Sequence, residues 1–185
     1  MTTGTELHPD YVTGTWALDL AHSELAFSVR HLAISKVKGF FRAFEVTVVT
    51  AENPYESTIE ATIDVASVDT NNEMRDGHLK TSDFFLVEEY PTATFRSTKI
   101  EGTADAFAIT GDLTLRGVTK EIVITGEFGG ITTDGYGQTK IGATATTKIN
   151  RLDFGVNWNA ALEAGGLTLG DEVTLTFDIQ LAKQA

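Results

Sequence analysis

Val173-Thr174-Leu175-Thr176-Phe177-Asp178-Ile179-Gln180-Leu181 alternates apolar and polar side chains without a break. A strand points successive side chains to opposite faces, so this segment reads as a β-strand with one face in a core and one in water. The same alternation runs through Ile59, Ala61, Ile63 and Val65, and through Phe107, Ile109, Gly111, Leu113 and Leu115. Weaker versions occupy residues 16–20, 25–29, 44–49, 93–99, 122–128 and 141–149. Turn chemistry falls between them: Glu52-Asn53-Pro54, Arg116-Gly117, Thr133-Asp134-Gly135 and Leu169-Gly170-Asp171. About eight or nine strands at hairpin spacing, with no βαβ rhythm, predict an all-β fold: an antiparallel sheet curled around one interior.

Composition agrees. Seventeen Gly against 3 Pro suit many strands joined by Gly-containing turns, and 185 residues suit one domain. Residues 1–13 are polar and aperiodic and read as a flexible leader; residues 14–185 read as the barrel domain. The net charge of −12 argues against a nucleic-acid partner, since phosphate backbones are held by clustered Lys and Arg. It argues equally against broad attachment to an anionic membrane, although a local cation cluster could hold one small anionic group. There is no Cys, hence no disulfide and no thiolate chemistry. The first residues lack a cationic start and an apolar core, and no apolar window is long enough to span a bilayer. A cytoplasmic, soluble protein is the expectation.

One stretch breaks the β pattern. Residues 68–85 crowd Arg75, His78 and Lys80 with several acids and end in Phe84-Phe85. Thr70-Asn71-Asn72-Glu73 has the form of a capping box, which would make Thr70 the N-cap of a helix that Gly77 keeps short. A polar, partly helical insert in a β-protein belongs at the mouth of the barrel. A second irregular stretch, residues 150–166, carries Phe154 and Trp158.

The interior admits two readings. Ala61, Ser97, Gly111, Gly126, Ala143 and Ala145 put small side chains on apolar faces, which leaves room for a hydrocarbon ligand. Large residues of facing strands could instead fill that room and make a solid core. For a ligand cavity the expected lining is Phe27, Val29, Phe41, Phe44, Ile59, Ile63, Phe84, Phe85, Phe95, Leu113, Phe154 and Phe177. The cations Arg75, His78, Arg151, Arg30 and His31 are the candidates for a headgroup site, because Arg suits bidentate contact with phosphate or carboxylate. Surface ion pairs with Glu73, Asp76, Asp83 or Asp153 are the alternative role for such cations.

Two enzymatic patterns deserve weighing. Asp19, His22 and Ser23 resemble a triad in composition, but adjacent His and Ser on a strand face opposite ways, and the turn role fits better. His22, His31 and His78 with nearby carboxylates could ligate a metal, yet none has a known ligand spacing. No catalytic residue, metal or cofactor is therefore assigned. A metal-dependent or lipid-modifying enzyme using these three histidines is the rival function.

The order of motifs carries a resemblance. Asp19-x-x-His22-Ser23 is followed by Phe27, His31 and Gly39-Phe40-Phe41, with Phe44 after it. Next come Ser67-Val68-x-Thr70-x-Asn72-x-x-Arg75-Asp76-x-His78-Leu79, Asp83-Phe84-Phe85 and Tyr90-Pro91-Thr92-Ala93-Thr94-Phe95-x-Ser97. The run from Gly111 to Lys120 and Asn150-Arg151-x-Asp153-Phe154-Gly155 complete the set. Together these resemble the YceI-like family of lipocalin-like, polyisoprenoid-binding proteins over residues 14–182. The resemblance implies an extended antiparallel barrel of about eight strands, with one short helix near its mouth and a long isoprenoid or similar lipid in its lumen. It implies no catalytic activity. Periplasmic relatives carry a signal peptide that the start of this chain lacks, so a cytosolic carrier or store is expected, with a homodimer as the possible assembly.

Overall fold

Each alternating segment becomes a strand, and the strands close on themselves. The computed structural model describes residues 8–162 and 167–185. In chain order the elements are β1 (Gly14–Leu18), β2 (Glu24–His31), β3 (Ser35–Phe41), β4 (Phe44–Thr50), β5 (Thr58–Asp64), β6 (Val68–Asp69), α1 (Glu73–Leu79), β7 (Thr92–Gly102), β8 (Phe107–Leu115), β9 (Val118–Thr133), β10 (Thr139–Asn150) and β11 (Leu169–Lys183). The ring β1-β4-β5-β7-β8-β9-β10-β11 closes through β1–β11 pairing into an eight-stranded antiparallel barrel, with β2, β3 and β6 as additional strands. Closure removes the free edges that an open sheet would expose.

Two bends let one wall serve two levels of the barrel. β1 and β2 lie end to end along the same edge of β11, Leu18 opposite Leu181 and Leu25 opposite Phe177. Between them a single 3-10 turn, Leu20–His22, follows Asp19. β3 and β4 break at Arg42-Ala43, so that β3 pairs with β2 while β4 pairs with β1. Residues 32–34 at the β2–β3 turn, α1 and the 151–154 turn gather at one end of the barrel. The β4–β5, β7–β8 and β9–β10 turns gather at the other.

The helix starts later than the capping-box spacing predicts. Asn72, not Thr70, is the N-cap: its side chain accepts a hydrogen bond from the Arg75 amide at 3.0 Å. Asn71 adopts a left-handed φ of 60° and turns the chain just before the helix. Thr70 is thereby freed for tertiary work. Its hydroxyl donates to Asp76 Oδ1 at 2.6 Å and accepts from Arg75 Nε at 2.7 Å.

Small residues on the inner faces have two different fates. Gly39 and Gly111 leave no room for a ligand, because the rings of Phe27 and Phe95 occupy the space where a Cβ would stand, both at 2.4 Å. Ser97 sits at an irregularity in β7, where its hydroxyl accepts from the Ile59 amide. Ala61, Ala143 and Ala145 do face open space. Of the expected leader, residues 1–7 lie outside the described residues. Residues 8–13 lie against the barrel: the Tyr11 hydroxyl donates to Ala51 O at 2.6 Å, and His8 packs edge-on against Phe128 with ring centroids 5.2 Å apart. Among the described residues, no helix is long and apolar enough to cross a membrane.

Candidate functional site

Burial along the strands identifies a hollow interior. Val46, Ile59, Ile63, Ile109, Ile122, Val173, Leu175 and Ile179 point inward, yet each is only half-buried. A close-packed core would cover them completely. They surround a cavity of about 870 Å³ that runs from the α1 end of the barrel to the end covered by His8, Tyr11 and Val12. That volume is within the range of about 300–1,000 Å³ typical of ligand pockets. Of the two sequence readings, the hollow one holds.

All the expected lining residues border this cavity except Phe44 and Phe154. Phe44 packs in a buried cluster with Leu25, Val65 and Val68. Phe154 is 1 % exposed and packs with Ile149 and Val156, because the 151–154 turn directs it into the wall rather than the lumen. Beyond the Phe-rich lining expected from the sequence, β4, β8, β9 and β10 add an aliphatic wall whose residues follow the plain alternation of those strands.

Arg and Lys side chains border the cavity at the α1 end. Arg75, His78, Arg151 and His31 border the cavity there, with Lys36 and Lys38 beside them. Arg30 does not border the cavity and is exposed on the β2–β3 hairpin. Arg75 donates from Nε to the Thr70 hydroxyl and from Nη2 to Thr70 O, both at 2.7 Å. His78 pairs through Nε2 with Asp83 Oδ2 at 2.8 Å. Its ring also meets Phe84 and Trp158 edge-on, with both centroid separations 5.0 Å. Trp158 thus belongs to the mouth. Its aromatic bulk in an irregular stretch was the available signal.

Arg151 is built in more deeply. Its side chain donates to Gly170 O at 2.8 Å, Val156 O at 2.8 Å and Trp158 O at 2.9 Å. The residue is only 4 % exposed, and its buried Nη2 has no hydrogen-bond partner among the described residues. Burial lowers its pKa from the usual guanidinium value, with Asp171 opposing that trend. Among the described residues, no carboxylate forms an ion pair with Arg151 or Arg75. Asp171 lies near enough to favour the charged Arg151, but neither guanidinium is held in a direct carboxylate pair among the described residues.

The remaining histidine is elsewhere. His22 Nδ1 bonds to Asp19 Oδ2 at 2.9 Å at the β1–β2 bend, and the Ser23 hydroxyl is spent on Asp19 O at 2.7 Å. His22, His31 and His78 thus sit in three different settings. Among the described residues, no group of three or more His, Asp or Glu is placed to hold a metal.

Comparison with known proteins agrees with this architecture. Residues 16–181 match the model of the YceI-like domain. A UPF0312 protein of Staphylococcus aureus (strain N315) is 39% identical over 161 residues, covering 85% of this chain and 91% of that protein. The crystal structure of a Campylobacter jejuni YCEI protein superposes with a TM-score of 0.71 at 33% identity, over 96% of this chain and 100% of that one. A Saccharophagus degradans domain described as polyisoprenoid-binding shares the fold, with a TM-score of 0.66 at 17% identity over 91% of this chain and 98% of that one.

Proposed function

The chain belongs to the YceI-like family, and on that premise we propose that its barrel holds a long apolar lipid. The ligand is a polyisoprenoid, quinone or fatty acyl derivative, carried or stored without chemistry on it. One observation carries this reading: the hollow, aliphatic lumen of about 870 Å³, whose Arg and Lys lining among the described residues lies at the α1 end. An isoprenoid or acyl tail has no groups that need hydrogen bonds, and each buried CH₂ is worth about 0.8 kcal/mol. Its polar head would lie at the α1 end, among Arg75, His78, His31 and Arg151. The Saccharophagus domain of the same fold, described as polyisoprenoid-binding, supports the same ligand class.

Mass spectrometry under native conditions, followed by organic extraction, tests the proposal. A co-purifying isoprenoid, quinone or acyl compound at near-unit stoichiometry is expected. Protein that arrives empty and also refuses added polyprenyl alcohol, polyprenyl pyrophosphate and fatty acid would overturn it.

A further inference from the structure

The β2–β3 hairpin differs from the rest of the molecule in charge. Residues 25–44 contain none of the 26 acids and four of the 14 Lys and Arg. Cross-strand register sets Arg30 opposite Lys36 and Ser28 opposite Lys38, which puts three cations on one face of a two-stranded ribbon. Like charges directly opposite are unfavourable in a sheet. Among the described residues no carboxylate forms an ion pair with any of the three.

The tip is unusual as well. The Ile34 amide donates to His31 O at 3.2 Å, closing a two-residue turn in which Leu32 and Ala33 have φ of 54° and 57°. Turns of this hand favour Asn-Gly, because a Cβ is disfavoured at positive φ. Here the strained positions hold apolar residues, and the next one, Ile34, is 81% exposed. Leu167, 55% exposed, lies close by, since the Leu32 amide donates to Thr168 O at 2.8 Å. Thr168, His31 and Lys36 all border the cavity at this end.

We propose that this hairpin docks the mouth of the barrel on an anionic lipid bilayer. Ala33 and Ile34 enter the interface, Arg30, Lys36 and Lys38 meet lipid phosphates, and the cavity opens toward the bilayer. The role of the docked state in loading rests on the lipid-binding reading above; the docking itself rests on the hairpin. The net charge of −12 does not oppose contact at close range. At ~0.1 M salt the field of the distant acids is screened beyond about 10 Å, whereas the hairpin cations act at the surface itself. Cations flanking an exposed apolar tip are what an interfacial anchor requires.

Flotation of the full chain with vesicles tests the proposal. Binding to phosphatidylcholine–phosphatidylglycerol vesicles should exceed binding to phosphatidylcholine alone by at least about tenfold, and high salt should reverse it. Ile34→Asp and the double change Lys36→Glu, Lys38→Glu should abolish flotation. Tyr136→Ser, at the fully exposed β9–β10 turn on the opposite end, should leave it intact. Matching circular-dichroism melts establish that each variant is folded. Absent flotation of the native chain, equal binding to both vesicle types, or insensitivity to both hairpin changes would overturn the proposal. Uptake of a fluorescent fatty acid in vesicle-free buffer separates the two readings. Normal uptake without flotation sinks the docking and leaves the carrier, whereas hairpin-dependent flotation by a chain that takes up neither this probe nor polyprenyl alcohol or pyrophosphate sinks the carrier and leaves the docking.

Discussion

Lys140 Nζ donates a 2.7 Å hydrogen bond to Asp19 Oδ2 across 121 residues of chain, joining β10 to the β1–β2 bend with β11 between them. His22 bonds to the same carboxylate oxygen at 2.9 Å. The Lys140 bond chiefly, and then the His22 bond, hold the Asp19 pKa down to about 2 from 3.8. The folded carboxyl thus binds its proton less tightly than the unfolded one. The pair stabilises the barrel fully above pH 3.8, and that contribution is lost as pH falls toward 2. Asp19→Asn should lower stability at pH 7 by about 1–3 kcal/mol, because a largely covered Lys140 is left without its counter-charge. Urea titrations at pH 7 and pH 2.5 should show the gap between native chain and variant narrowing in acid. A constant gap would refute the electrostatic origin.

A hollow lumen tolerates what a filled core does not. Ala143 borders the cavity, so Ala143→Phe should fill empty space and keep Tm within about 3 °C of the native chain. In a packed core the same enlargement costs about 1–3 kcal/mol. Extracted lipid should fall at the same time. A large loss of stability with lipid content unchanged would mean that the wall beside Ala143 is closed.

Arg75 separates headgroup recognition from tail burial. Arg75→Gln should weaken binding of a polyprenyl pyrophosphate by at least about tenfold, as charge-assisted hydrogen bonds are worth about 1.5–3 kcal/mol. The matching alcohol should lose much less. Equal losses in calorimetric titrations with both ligands would place the role of Arg75 in holding Thr70 rather than in recognition.

Arg151 ties the 151–154 turn to the start of β11 through the carbonyls of Gly170, Val156 and Trp158. Arg151→Met leaves three covered acceptors without a donor, each costing about 1–3 kcal/mol. A loss of about 3 kcal/mol would lower Tm by about 6–12 °C in a domain of this size. Scanning calorimetry should show at least that fall. An unchanged Tm would mean that water replaces the guanidinium.

The barrel was legible in the sequence because side-chain alternation is local: Val173, Leu175, Phe177, Ile179 and Leu181 must share a face wherever their strand is placed. The helical break near Arg75, and the placing of Arg75, His78 and Lys80 among acids in residues 68–85, were legible for the same reason. What the inner faces enclose is set by partners distant in sequence, and only the tertiary structure decided it. Strand register laid Phe95 over Gly111, closing a gap that composition left open, and Phe27 over Gly39, while Ala61, Ala143 and Ala145 border the lumen. Register likewise turned Arg30 outward, and the chain reversal at Asn71 passed the helix cap from Thr70 to Asn72. Alternation says that two residues share a face; only the pairing of strands far apart in the chain says what stands across from them.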